Sequence, residues 1–165
     1  MGTFLYYGLG IDSTIRVTLN DIGGQQSTAT TDTETKCAKL MDYLHTHPDA
    51  VNRFHTSDMI LYIESDAAYL VLPKARSRVA IIFYLSNTTA GHPPLNGAIQ
   101  VICKNLQNVA FSAAEAETGS IFVGGQQALP IITALSKLNH QQPSSGTRIS
   151  TDNSTEIGVL TVNLR

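Results

Sequence analysis

The chain has few of the residues that mark specialised protein classes. Trp is absent, and Cys37 and Cys103 are isolated thiols without CxxC spacing. Their separation argues against a zinc site and against a disulfide scaffold, and it suits a reducing compartment. No apolar run approaches the roughly 20 residues of a membrane span, and the first residues lack the basic and apolar regions of a signal peptide. We therefore expect an intracellular protein without a membrane partner.

An excess of charge is missing as well. The formal net charge is −2 over 165 residues, so no overall basic character indicates nucleic-acid binding. Such a role would have to depend on a local basic patch or on a neighbouring domain. The apolar content is that of a globular protein, and the length suits one ordinary domain with an appendage.

Residues 1–50 have the pattern of a small helical segment. Asp12 can cap a helix that begins just after it, and the glycine pair at 23–24 ends that helix. A short apolar helix is predicted before Asp12. Residues 25–33 are polar and predict a linker, and an apolar stripe with helical spacing predicts a further helix over 33–45.

From residue 57 the pattern changes to short apolar runs that are typical of strands. We predict three strands, at 59–66, 79–85 and 98–103. The segment 67–75 is predicted to be a loop, and Asn96-Gly97 is the preferred pair for a tight hairpin turn. The expected arrangement is an antiparallel meander.

A long helix and a fourth strand are predicted next. Ser112 and Glu115 have the spacing of a capping box at a helix start. The helix is expected to continue past the glycines at 124–125, and Pro130 either kinks it or begins a second segment. Residues 147–151 predict a strand that ends on Asp152, followed by a last helix.

Three acidic residues have comparable positions in this pattern. Asp66 and Asp152 each end a predicted strand, and Glu117 lies one turn into the long helix. In open sheets, sites gather where strand ends and neighbouring helices meet. Clustered carboxylates are stable when cations bind them, and Mg²⁺ and Mn²⁺ suit a set of oxygen ligands. Two such ions about 4 Å apart form an arrangement that cleaves phosphodiesters.

Each acid also has a purely structural interpretation. Asp66 can be hydrogen-bonded into the loop that follows it, and Glu117 can be a surface charge. Asp152 can cap the helix that begins after it. Glu115 fits the capping role better than a catalytic one, because its spacing from Ser112 is that of the capping box.

The order of the motifs resembles the ribonuclease H domain of copia-type retrotransposon polyproteins. The motifs of that family are an S-D-A strand end, an S-x-x-E-A-E helix start and a D-N-S segment. In this chain they are Ser65-Asp66-Ala67, Ser112-Ala113-Ala114-Glu115-Ala116-Glu117 and Asp152-Asn153-Ser154. The matching segments extend over residues 57–165. Residues 1–50 are similar to the helices that join reverse transcriptase to ribonuclease H in these elements.

The resemblance implies an α/β fold with a ribonuclease H-like mixed sheet. Its order is three antiparallel strands, a helix, a parallel strand and a helix, with a small helical segment in front. The domains would be a connection segment, 1–50, and a ribonuclease H-like domain, 57–165, that is truncated at its C-terminus. The partner domain would be the reverse transcriptase of the same polyprotein, in the cytoplasm or in virus-like particles.

The implied activity is endonucleolytic cleavage of the RNA strand of RNA–DNA hybrids during reverse transcription. Asp66, Glu117 and Asp152 would hold two Mg²⁺ or Mn²⁺ ions. Glu117 is chosen over Glu115 because the second Glu of E-A-E matches the wider ribonuclease H pattern. Three further residues are expected to contact phosphates because of their charge or position, with ordinary surface residues as the alternative; they are Arg76, Ser77 and Lys104.

The chain departs from the family pattern in one important respect. Family members carry a fourth acidic residue and a His beyond the helix that begins after Asp152, and this chain has neither. We therefore expect weak or no activity from the chain by itself. A decayed, non-catalytic remnant with a binding or structural role is the alternative. An integrase is disfavoured, because it would have its acids in the order Asp, Asp, Glu.

Overall fold

A computed structural model describes residues 2–88 and 91–152 of the chain. Contacts between Cα atoms divide it into two compact units, one up to Arg53 and one from Phe54 onward. The first unit is helical, and the second is built on a sheet. In the described part of the chain, no helix is long and apolar enough to cross a membrane.

The N-terminal unit contains three α-helices. They are α1 (Gly2–Gly10), α2 (Arg16–Gly24) and α3 (Thr31–Thr46). The Asp12 carboxylate accepts a hydrogen bond from the Thr14 N–H at 3.0 Å, at the start of a 3-10 turn that leads into α2. A small apolar core joins the helices; its buried members are Ile15, Leu19, Ile22 and Leu40.

The predicted linker 25–33 is shorter than expected, because α3 begins at Thr31. Thr30 caps the helix with its hydroxyl, and the Thr33 hydroxyl accepts from the Thr30 N–H in return at 3.1 Å. A threonine therefore replaces the glutamate that usually completes a capping box. This substitution hid the true helix start from the sequence pattern.

The C-terminal unit is an α/β structure with one mixed sheet. Its elements are β1 (Ile60–Leu72), β2 (Arg76–Ser86), β3 (Ala98–Asn105), α4 (Ala113–Lys137) and β4 (Arg148–Ser150). The strand order is β3-β2-β1-β4. β1, β2 and β3 pair antiparallel, and β4 pairs parallel with β1. The predicted helix after Asp152 lies outside the described residues.

Helix α4 packs on the sheet through a continuous apolar core. Every second residue of β2 from Ser77 to Phe83 is buried, as the period of two in a strand requires. In β1 the three consecutive residues 61–63 are all buried. From the helix side, Ile121, Ala128 and Ile132 belong to the same cluster. The sheet residues of this cluster are Leu61, Ile63, Ile81, Phe83 and Ile149. This packing fixes the helix over β1, where the predicted site residues lie.

Tyr62 and Tyr84 extend the buried region outside that cluster. Both are fully buried, and their rings lie 5.4 Å apart between centroids. The Tyr84 hydroxyl donates to Glu64 Oε1 at 2.9 Å, and the Tyr62 hydroxyl donates to the Gly91 carbonyl at 3.0 Å. Burial raises the pKa of Tyr84 above its usual range, and the Glu64 hydrogen bond adds to this effect. The Tyr84 hydroxyl therefore remains a protonated donor to Glu64.

The prediction that the first strand ends at Asp66 is wrong. β1 continues to Leu72, and residues that were predicted to form a loop pair with β2, as in Ala67↔Val79. An irregularity interrupts this pairing before Leu72, where Leu70 has a positive φ of 54°. Asp66 therefore lies inside a long strand.

The tight Asn96-Gly97 turn is also absent. β2 ends at Ser86 and β3 begins at Ala98, so the connection is much longer than two residues. The Asn96 amide instead donates to the carbonyls of Leu85 and His55, at 2.9 and 3.0 Å. These side-chain hydrogen bonds hold the connection against the end of β2.

Helix α4 is one continuous helix with Pro130 inside it, so Pro130 does not begin a second segment. Gly124 lies in the middle of this helix. A Cβ atom built there would be 3.6 Å from Ile81 Cγ2 and 3.7 Å from Ile63 Cγ2, which are ordinary contact distances.

We expect Gly124→Ala to stabilise the protein. Alanine removes the entropic cost of a helical glycine, about 0.5–1 kcal/mol, and its methyl group meets the sheet without a clash. Urea unfolding should show a higher midpoint with an unchanged slope. Gly124→Leu is the matched control and should lower the midpoint, since the larger side chain exceeds the space. A lower midpoint for Gly124→Ala would contradict this description of the helix–sheet contact.

Candidate metal site

The register between β1 and β4 brings Asp66 and Asp152 level with each other. The last parallel pair is Glu64↔Ser150. Asp66 and Asp152 each lie two residues beyond it along their own chain segments. Because parallel strands advance together, equal offsets from one pair lead to neighbouring positions. The two aspartates are therefore placed side by side at the point where β4 stops.

Helix α4 reaches this point from its N-terminal end. The Ser112 hydroxyl accepts from the Glu115 N–H at 3.1 Å, and the Glu115 carboxylate accepts from the Phe111 N–H at 2.6 Å. Glu115 therefore has the capping role that its spacing predicted. One turn later, the fully buried Ser120 donates its hydroxyl to the Asp66 carbonyl at 3.2 Å. This bond ties the helix to β1 beside the aspartates.

Glu117 is held by a donor at each of its two oxygens. The Ala67 N–H donates to Oε1 at 3.0 Å, and the Thr151 hydroxyl donates to Oε2 at 3.0 Å. The residue is only 5% exposed. One carboxylate thus joins α4, β1 and the segment after β4. A carboxylate has about four acceptor positions, so these two bonds leave acceptor capacity for a further ligand.

The three predicted acids form one cluster. Asp66, Glu117 and Asp152 each offer an oxygen, and these atoms lie within 4.8 Å of one another. Glu117 is buried and the two aspartates are exposed. A Mg²⁺ ion about 2.1 Å from each ligand has opposite ligands about 4.2 Å apart. The cluster is close to that size, and its all-oxygen composition suits Mg²⁺ or Mn²⁺.

The electrostatics of the cluster also favour a cation. Burial raises the pKa of Glu117, and the charges of Asp66 and Asp152 raise it further. The hydrogen bonds from Thr151 and Ala67 act in the opposite direction and lower the pKa. The folded chain therefore holds this carboxylate at a cost in free energy, and a bound cation would offset that cost.

Some contacts of the site were not predicted from the sequence. The sequence pattern gave no role to Thr151, to Ser120 or to the Ala67 N–H. The position of Thr151, directly before a strand-end aspartate, is the one local signal that could have identified it. The bonds of Ser120 and Ala67 depend on how α4 packs against β1, which the pattern does not contain.

The three residues predicted to contact phosphates differ in how far they are exposed. Ser77 is fully buried, and its hydroxyl accepts from the Leu70 N–H at 3.2 Å. The prediction for Ser77 is therefore wrong, because the side chain is inside the β1–β2 hairpin and supports its irregular pairing. Arg76 is half-buried at the start of β2, and Lys104 is exposed near the end of β3.

Several basic side chains lie at the end of the sheet that carries Asp66. Asp66 is opposite Ala80 in β2, and the turn from β1 to β2 lies beyond it. Val79, the neighbour of Ala80, pairs with Lys104. The Lys and Arg residues at this end are Lys74, Arg76, Arg78 and Lys104. We call these four residues the basic end of the sheet. Four basic residues thus lie at this end of the sheet, although the chain as a whole is slightly acidic.

Comparisons with protein-family models, curated proteins and solved structures found no match to this chain. The features of the chain that bear on its function are therefore the geometry of the acids, the basic end of the sheet and the motif order.

We expect Glu117→Gln to stabilise the metal-free protein at neutral pH. A raised carboxyl pKa means that the folded state binds more protons than the unfolded state, so stability falls as pH rises through that interval. Glutamine keeps an oxygen for the Ala67 N–H and does not ionise. Melting temperatures measured with a chelator should therefore favour the variant at about pH 7 and converge with the parent near pH 4. Equal pH profiles would contradict the repulsion described here.

Proposed function

We propose that the C-terminal unit is a ribonuclease H-like nuclease that uses Mg²⁺ or Mn²⁺ to cleave the RNA strand of RNA–DNA hybrids. The observation that carries this proposal is the clustering of Asp66, Glu117 and Asp152 from three different segments of the chain. Acids that repel one another are brought together here by register and by packing, which is typical of a site for divalent cations.

The topology of the sheet supports the ribonuclease H assignment. A meander of three strands, a helix and then a strand parallel to the first is the order that the resemblance implied. The acids lie on the first strand, on the helix and just after the fourth strand, in the order Asp, Glu, Asp. This order differs from the Asp, Asp, Glu order of integrases, so the integrase alternative remains the weaker one.

The residues of the site have separate roles in this proposal. Two divalent ions, when bound, would activate water and stabilise the leaving oxygen of the phosphodiester. Asp66 and Asp152, which are exposed, would present their carboxylates to the ions and to the substrate side. Glu117, which is buried and doubly hydrogen-bonded, would supply the rigid ligand of the set. Rigid placement of charged ligands reduces the reorganisation that the reaction requires.

The basic end of the sheet would hold the phosphate backbone of the hybrid. Lys104 is exposed and Arg76 is half-exposed, and both lie toward the end of the sheet that carries Asp66. Phosphate contacts fix the position of a nucleic acid without reading its sequence. We further propose, from the motif resemblance, that the unit works beside a reverse transcriptase domain of a copia-type polyprotein in the cytoplasm.

The test of this function is cleavage of a labelled RNA–DNA hybrid with Mg²⁺ or Mn²⁺. The chain should cut the RNA strand weakly, and Asp66→Asn should abolish that cleavage, since it removes one ligand of the site. Asp58→Asn is the matched control. Asp58 is exposed and lies two residues before β1. The first residue of β1, Ile60, is already about 20 Å from Asp66 along the strand, so the Asp58 variant should keep the parental rate.

The outcomes separate the two interpretations of the chain. Activity that Asp66→Asn abolishes and Asp58→Asn keeps supports the nuclease. If Mn²⁺ stabilises the parent chain but no cleavage is seen, the result supports a metal site that lacks catalytic activity. A chain that neither cleaves the hybrid nor responds to Mn²⁺ would contradict the proposal and would favour the non-catalytic remnant.

Lys104→Ala should weaken binding of the hybrid without changing metal binding. Each lost phosphate contact lowers the slope of log affinity against log salt concentration by about 1. Lys137→Ala is the control, because Lys137 ends α4 about 30 Å from Glu117 along the helix. Fluorescence anisotropy over a series of salt concentrations measures both slopes. Equal slopes for the two variants would remove Lys104 from the binding surface.

A further inference from the structure

A hydrogen bond from Thr151 holds the Glu117 carboxylate, which is one of the three acids of the proposed metal site. The Thr151 hydroxyl lies 3.0 Å from Glu117 Oε2, and the other oxygen of Glu117 accepts from the Ala67 N–H. Thr151 is the residue directly before Asp152. A single segment after β4 therefore supplies one acid of the cluster and the hydrogen bond that holds another.

The hydroxyl acts against the repulsion within the cluster. Without a cation, the charges of Asp66 and Asp152 favour a Glu117 side chain turned away from them. The Ala67 N–H alone leaves the carboxylate free to pivot about one bond. The Thr151 hydroxyl, as a second donor on the other oxygen, prevents this rotation. The free acceptor positions of the Glu117 carboxylate therefore keep a fixed direction. Partners that orient a ligand in this way affect metal affinity about 10–100-fold.

We propose that Thr151 is a positioning residue, whose hydroxyl orients the Glu117 carboxylate for divalent cations shared with Asp66 and Asp152. This inference rests on the proposed metal site and adds to it a residue outside the acid set. It makes the hydroxyl group, and not the size of the side chain, responsible for the effect.

The experiment is titration of the metal-free chain with Mn²⁺, with free Mn²⁺ measured by electron paramagnetic resonance. Thr151→Val keeps the shape of the side chain and removes the hydroxyl, and it should raise the Kd at least about 10-fold. Thr151→Ser keeps the hydroxyl and should bind close to the parent. Thr151→Ala provides a second variant without the hydroxyl if the valine variant does not fold, and the same rise is expected.

Thr147→Val is the matched control. Thr147 is only 2% exposed, and its hydroxyl has no hydrogen-bond partner among the residues that the structure describes. Loss of the Thr147 hydroxyl should leave the Mn²⁺ affinity unchanged. Melting temperatures without metal separate a structural role from positioning, because a merely structural threonine would alter melting and leave the Kd of the folded protein unchanged.

Three results would overturn the inference. Parental Mn²⁺ affinity in the folded Thr151→Val or Thr151→Ala variant would show that the hydroxyl does not orient Glu117 for the ion. Affinity as weak in Thr151→Ser as in Thr151→Val would give the same conclusion. A parent chain that does not bind Mn²⁺ would overturn the metal site, and the inference with it. The first two results leave the proposed function intact, and the third removes its basis.

Discussion

Repulsion between three carboxylates is the constraint on which the C-terminal unit depends. Asp66, Glu117 and Asp152 offer oxygens within 4.8 Å of one another, and folding must hold them there against their charges. The restraints come from backbone pairing, from helix packing and from donors to Glu117. Three different segments of the chain therefore contribute to the restraint of one cluster.

The short length of β4 is what makes the cluster possible. β4 pairs with β1 only over Tyr62–Glu64, so later backbone groups of β1 are not covered by it. The Asp66 carbonyl and the Ala67 N–H bond instead to Ser120 and Glu117 of α4. A longer β4 would compete with α4 for these groups. The place where parallel pairing stops is therefore also the place where the helix can insert a polar side chain.

The sequence was informative about the acids because it shows their order and the kind of segment that carries each. It misplaced the end of β1, because Pro73 indicates a loop when the segment is considered alone. Pairing with Val79 and Arg78 extends the strand, and such pairing is not a local property. Asn96 was misinterpreted for a related reason: its amide bonds to Leu85 and His55, and those tertiary partners outweigh the turn preference of Asn-Gly.

The two ends of α4 bury chemically different side chains. Beyond Glu117 the helix contributes Ile121, Ala128 and Ile132 to the apolar core, which favours folding through burial. Around Glu117 it instead buries a carboxylate whose raised pKa shows that burial and charge oppose it. The same helix that stabilises the sheet thus holds an acid in an unfavourable environment. Strain of this kind persists only where the surrounding structure is rigid enough to maintain it, and here the core beneath α4 and the β1 backbone supply that rigidity.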